Sequence, residues 1–448
     1  MKFISPPSKG TSLTFKCKVG TTVIWLLLGA VLGYLFLVIA FCLPTNRMRS
    51  HLESTPDVFY NGSVALVKDD LATHLDYLTE ATILSEAIYD GNESPFVKAA
   101  AIYSVLPPEG DENWSYRKLI SSLSATNESA HGPYDRYWQG QLAILRPLLL
   151  LLDYKDILRL NTLVQLFLML WIAHLLSCHS LTHLLFPLAL MFCSLTPIAT
   201  GICLQYTPCF LIMAIGCVVL LRHTNIINKF NWLFFLSLGM ATSYFDFLTY
   251  PLVTLGIPLI LYLQLETSSP SQRFFQITTC SLSWGIGYIG FWAEKWLLGS
   301  VILQENLFSE AYNSIILRSS HETLGQTITY MATLKNNLQA YDLRTWKILW
   351  LLLFLVTIVL ALHRHCLTLH NILAFSPLCL VACMPFVWYY FTQNHSYIHF
   401  GFTHRELSIT FSHLAVFWFS FVIQLISNPS KKYRLCNNFT DGTAALAI

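Results

Sequence analysis

The chain has 448 residues, of which 54% are hydrophobic and 12% charged, with a formal net charge of +2 and a mean hydropathy of +0.52. Soluble domains carry charge on roughly a quarter of their residues, so the composition reads as an all-α polytopic membrane protein. No basic stripe interleaved with aromatics stands clear of the apolar runs, which excludes nucleic acid as a partner.

Residues 1–20 carry Lys2, Lys9, Lys16 and Lys18 ahead of an apolar run at 21–43. About twenty apolar residues span a bilayer at 1.5 Å each, and no small-x-small cleavage site follows, so the run predicts a retained first transmembrane helix. Residues 44–157 are polar, acidic and free of cysteine, which excludes a disulfide-stapled ectodomain there. Within them an amphipathic helix is expected from Leu71 to Tyr89, then a turn at 91–95. QLAILRPLLLLLDY at 141–154 is too short to span and reads as a re-entrant or interfacial helix interrupted by Pro147.

Further apolar runs lie near 158–177, 184–199, 203–221, 231–246, 250–264, 274–293, 346–362, 371–391 and 407–427, for about ten transmembrane helices in all. The runs at 184–199 and 250–264 are short, so tilted, broken or re-entrant forms are expected there. Residues 299–345 form a second long connection with a helix-like pattern broken only by Gly325, and residues 428–448 form a tail. With the N-terminus inside, the cytoplasmic connections hold the four N-terminal lysines, Arg222, Lys229, Arg273, Arg364, Lys431, Lys432 and Arg434. The opposite short connections hold none, although Arg47 and Arg49 follow the first span. The bias puts both termini in the cytoplasm and both long connections outside a plasma membrane.

Polar residues near span ends then gather on the outer side: Asp246 in SYFDFLTYP, Glu294 and Lys295 in FWAEKW, Arg136 in YDRYWQG, Arg146 in ILRPL, and HSYIHFGFTHR at 395–405. Ionisable groups at membrane depth are costly and face a cavity or a partner. Plainer readings stand beside this one: Asp246 as an interfacial helix end near Tyr244, Lys295 as a snorkelling anchor between Trp292 and Trp296, the histidines as a solvated connection. In HLDYLTEATILSEAIYDG, Asp76 and Glu80 are four apart, which places them on one helix face, and Glu86 and Asp90 repeat the spacing. A carboxylate can take the proton of an acceptor hydroxyl during sugar transfer, though a surface helix shows the same pattern. Lys295, Arg405, His404, His399 and Arg136 are candidates for stabilising a phosphate leaving group, and Trp138, Trp292, Tyr244, Asp246 and His395 for lining the cavity. A divalent metal on a histidine and carboxylate set stays open, but HxxxH at 395 and 399 falls in an expected loop, where its spacing says little. Most of the twelve cysteines read as small core residues, with no CxxC pair. GxxxxGK[ST], GxGxxG and GxSxG are all absent, which argues against nucleotide-driven transport and α/β-hydrolase chemistry.

One span, a long acidic outer loop, a juxtamembrane helix and a further bundle resemble the GT-C superfamily of integral membrane glycosyltransferases. LDYLTEA, YDRYWQGQLAILRPLLL, TSYFDFLTYPLVTLGIPL, WAEKW and NHSYIHFGFTHR are similar to stretches in a group of uncharacterised bacterial multi-spanning proteins. The resemblance implies an inverting enzyme that moves a sugar from a polyprenyl-phosphate donor to a glycan, lipid or protein acceptor outside the cytoplasm. Its base would be Asp76, with Glu80 as rival. A transporter or flippase of lipid-linked glycans, and a membrane acyltransferase using His395 or His399, are the alternatives.

Overall fold

The computed structural model describes residues 15–60, 64–68, 70–106, 113–125, 130–266, 268–323, 325–341, 355, 358 and 369–416. The described chain is mostly helical, with three two-stranded antiparallel hairpins: Val64–Ala65 with His74–Leu75, Tyr103–Val105 with His131–Pro133, and Glu322–Thr323 with Gln326–Thr327. Gly325 takes φ +75 in the tight turn of the last, a conformation open to a residue without Cβ.

The first apolar run is helix α1 (Phe15–Phe41). The amphipathic stretch does not run from Leu71 to Tyr89 as one helix. Asp70 accepts from the Ala72 amide and turns the chain into a short 3-10 segment, then Asp76 caps α2 (Tyr77–Ala87) by accepting from the Thr79 amide at 3.2 Å. Asp76 therefore precedes the helix that carries Glu80, and Asp90 lies beyond the end of the helix that carries Glu86. Next come α3 (Pro95–Ala101), α4 (Trp114–Leu123) and α5 (Leu142–Leu149), the short helix expected around Pro147.

The bundle begins with α6 (Tyr154–Cys178). The run at 184–199 is broken into α7 (Leu185–Ser194) and a single turn, Pro197–Thr200, because Pro197 cannot donate to a continuing helix and Thr196 adopts φ +57. Then follow α8 (Thr207–Arg222), α9 (Asn231–Phe245), α10 (Val253–Leu265) and the 34-residue α11 (Pro270–Leu303), which overshoots its apolar run. The second long connection folds as α12 (Leu307–Ser319), the hairpin and α13 (Tyr330–Gln339). The chain returns in α14 (Leu369–Phe391), α15 (Gln393–Ile398), the turn Phe400–Thr403 and a helical stretch to 416. The predicted span at 346–362 falls outside the described residues except for 355 and 358, as does the span at 407–427 beyond 416.

Among the described residues two helices are long and apolar enough to cross a membrane, Lys16–Phe41 and Tyr154–Cys178; the apolar stretches Thr182–Ser194, Thr207–Arg222, Val253–Leu265 and Cys379–Phe391 are shorter. Close packing comes from glycines at the α9–α11 crossing. A Cβ on Gly239 would lie 2.1 Å from the Trp284 carbonyl oxygen and one on Gly287 2.2 Å from that of Leu236. One end of the bundle, where α9 and α11 finish, is covered by α2, α3 and α5, whose apolar side chains share a core with α1.

Candidate functional site

Buried cations mark the covered end, and three of them, Arg146, Lys295 and Arg405, are bound to backbone carbonyl oxygens. Arg146 donates through Nε to Ala40 at 2.9 Å, through Nη2 to Leu43 at 3.2 Å and through Nη1 to Ala87, closing the C-termini of α1 and α2 while its guanidinium lies 4.6 Å from the Phe41 ring. Lys295 donates to Ala100 at the end of α3 and sits 5.8 Å from the Trp138 ring. Arg405, fully buried, donates to Leu195 just past α7 at 3.1 Å, to Gly401 at 3.1 Å and to Ala72 at 3.0 Å, with the Tyr206 ring 4.3 Å away. No contact among the described residues joins Lys295 to Arg405.

Three other predicted residues are likewise absorbed by packing. Tyr244 wedges between Gly33 and Gly140 and donates to the Gly33 carbonyl at 2.7 Å. Trp138 stacks on Phe291 at 5.0 Å and donates to its carbonyl at 2.7 Å. Glu80 is buried and collects the Leu204 amide at 2.9 Å, the Gln205 amide at 3.2 Å and the Tyr154 hydroxyl at 2.7 Å, anchoring α2 to the start of α8. Burial raises its pKa, and those donors oppose the rise.

HSYIHFGFTHR is helical, not an open loop. His395 lies in α15 and His399 closes it, so HxxxH takes helical spacing and the rings stand 4.7 Å apart. Arg318, at the end of α12, donates to His395 Nδ1 at 2.7 Å, and His395 Nε2 donates to the Leu248 carbonyl at 2.7 Å. An arginine has no acceptor and a carbonyl no donor, so His395 is neutral with its proton on Nε2. Burial, Arg318 and His399 all push its pKa well down. His399 is held down to about 4 by burial and then by Arg318, with Asp76 pulling the other way. Asp76 is half-buried, and besides its cap bond its carboxylate accepts the Thr79 hydroxyl at 2.9 Å.

Arg318 is the cation that sequence reasoning missed. It has no carboxylate partner among the described residues, and its guanidinium lies 5.8 Å from the Tyr137 ring. Arg136 instead reaches Glu310 at 3.7 Å and Ser314 at 3.1 Å on α12. His404 donates to or accepts from nothing at Nε2 among the described residues, while its Nδ1 donates to the Phe400 carbonyl at 2.9 Å. Asp246 is buried and accepts the Leu248 amide at 2.9 Å and the Thr249 amide at 3.0 Å, so it shapes the loop whose Leu248 carbonyl receives His395. Trp292 sits 5.8 Å from Tyr137, next to that loop. His, Cys, Asp and Glu do not gather in threes among the described residues.

No family model matches the chain, and no curated protein or solved structure matches it.

Proposed function

We propose that the protein is a multi-spanning membrane glycosyltransferase that takes its sugar from a lipid-linked phosphate donor at the covered end of the bundle. The observation that carries the reading is Arg318, a guanidinium bonded to a neutral imidazole and set over an aromatic ring, with the half-buried carboxylate of Asp76 at the start of α2 as the candidate base. A partly desolvated arginine without an acidic partner is suited to a phosphate, which it meets with a planar pair of N–H groups. Arg318 with His399 would hold the donor phosphate; Arg405 and Lys295, bonded to carbonyls, would hold the helices around it. Asp76 takes the proton from the acceptor hydroxyl as that oxygen bonds to the anomeric carbon. The bond from that carbon to the phosphate oxygen breaks, and the lipid phosphate leaves with the electron pair.

Asp76→Asn is the informative substitution, because Asn caps a helix about as well as Asp and so removes the base while keeping the fold. In proteoliposomes supplied with a polyprenyl-phosphate sugar, Asp76→Asn is expected to abolish transfer and Arg318→Ala to raise the donor KM at least tenfold. Undiminished transfer by both variants would sink the assignment. The break between α7 and Pro197–Thr200 favours a second reading, a flippase of lipid-linked glycans, since interrupted helices recur at transporter sites. Movement of the lipid across the bilayer without glycosylation would favour it.

A further inference from the structure

Four aromatic residues recur at every fourth position of α11, Trp284, Tyr288, Trp292 and Trp296, and form a continuous ladder with successive ring centroids 4.8, 4.9 and 6.1 Å apart. The two outer rungs have their polar tips satisfied. Trp284 donates to the Thr254 hydroxyl at 3.0 Å and Trp296 to the Arg136 carbonyl at 3.0 Å. The two middle rungs do not: the Tyr288 hydroxyl and Trp292 Nε1 are buried atoms without a partner among the described residues. Leu252, whose amide Glu406 holds, shares its apolar core with Tyr288. Glu406 is fully buried, spends Oε1 on the Leu252 amide at 3.2 Å, and leaves Oε2 unpartnered. Trp388 stands 6.5 Å from Tyr288 on the facing helix.

Buried polar atoms are almost always paired, so an unpaired donor (Trp292), an unpaired acceptor (Glu406) and a group that can be either (Tyr288) in one aromatic neighbourhood call for a ligand bearing several hydroxyls. A purely apolar prenyl chain would leave all three unsatisfied, at roughly 1–3 kcal/mol each. A phosphate would meet the Glu406 carboxylate. A pyranose or furanose ring would meet both demands, with its hydroxyls on the three tips and its C–H groups against the edge of the aromatic ladder. The ladder also connects to the cation. Trp292 touches Tyr137, over which Arg318 sits.

We infer that Tyr288, Trp292 and Glu406 form the glycosyl-binding half of the donor site, with Arg318 and His399 forming the phosphate half. The inference rests on the glycosyltransferase reading, and its test separates the two. The full-length protein in nanodiscs is titrated with farnesyl phosphate and with farnesyl phosphate carrying glucose, galactose, mannose or arabinofuranose in turn. At least one sugar is expected to tighten binding tenfold or more over farnesyl phosphate. Tyr288→Phe, which keeps the ring, Trp292→Phe, which keeps an aromatic face but no N–H, and Glu406→Gln, which keeps the acceptor for Leu252, should each erase most of that gain and leave the affinity for bare farnesyl phosphate unchanged. Arg318→Ala should weaken all the probes alike. Binding that depends on Arg318 with no gain from any of the four sugars, or a gain that survives all three ladder variants, would overturn the inference and leave the phosphate-binding reading standing. Failure of wild-type protein to bind any probe would overturn both.

Discussion

At the residue scale, a side chain's chemical type announces what it can do but not what it is bonded to. Arg146, Lys295 and Arg405 are buried cations in an apolar chain, and each is neutralised in practice by carbonyl oxygens at helix ends rather than by substrate or acid. Those acceptors belong to the backbone and so are invisible in a string of side chains, which is why the residues look like phosphate ligands in the sequence. Arg318 is the converse case: it lies in an unremarkable stretch, SIILRSSHE, and gains its meaning only when α12 packs against α15 and sets it on His395. Asp76 stood out in the sequence as a carboxylate within one continuous helix, but its place as the cap of α2 did not, because the Thr79 amide it accepts from belongs to the backbone. The capping role of Arg146 is testable. Arg146→Met keeps the volume but strands the carbonyls of Ala40, Leu43 and Ala87, and should cost about 3 kcal/mol or more. A thermal midpoint in detergent that falls by several degrees checks it, and an unchanged midpoint would show that the carbonyls find other partners.

At the element scale, α2 and α4 lie against one another through groups that hydropathy does not foresee. Ser85 and Ser122 share a hydrogen bond of 2.6 Å, and Lys118 donates to the Ser104 hydroxyl at 2.9 Å. Glu86 is buried with neither carboxylate oxygen hydrogen-bonded among the described residues. Burial raises the Glu86 pKa well above its ordinary value of 4.5 even against the pull of Lys118, whose own pKa burial lowers to about 8. Above pH 4.5 the unfolded chain releases the Glu86 proton while the folded chain keeps it, so stability falls as pH rises through that window, by up to about 1.4 kcal/mol per unit. Glu86→Gln should flatten this slope and raise the thermal midpoint at pH 7 relative to wild type. A variant with the same slope from pH 5 to 7 would place the dependence elsewhere. The helices themselves were largely legible as apolar runs, since long stretches of apolar side chains have few other ways to satisfy their backbone. Their interruptions were less so. The run at 184–199 was short enough for a break to be expected, and it falls at Thr196 and Pro197, whereas the caps at Asp70 and Asp76 split an amphipathic stretch that reads as continuous when only its periodicity is followed.

At the scale of the whole molecule, helix direction ties the charge bias to the site. Trp25 meets Ser237 and Gly33 meets Tyr244, so α1 and α9 run the same way; Gly239 meets Trp284 and Tyr244 meets Phe291, so α11 joins them. Between α9 and α11, α10 runs back, with Thr254 beside Thr242 and Tyr262 beside Asn231. His179 bonds the Leu221 carbonyl, which brings the ends of α6 and α8 together. In a membrane this alternation puts Lys16, Lys18, Lys229 and Arg273 at one face, at the starts of α1, α9 and α11, while Asp76, Arg318, His395 and Glu406 lie at the other. Positive residues favour the cytoplasmic side, which predicts that the covered end faces out, where the proposed enzyme would handle its donor. Alkaline phosphatase, active only when exported, should therefore be active when fused after Ala101 or Ser319 and inactive after Lys229 or Leu265. The reverse pattern would place the site in the cytoplasm, where the sugar donor is chemically free to be a soluble nucleotide sugar and the argument for a lipid-linked one loses its ground.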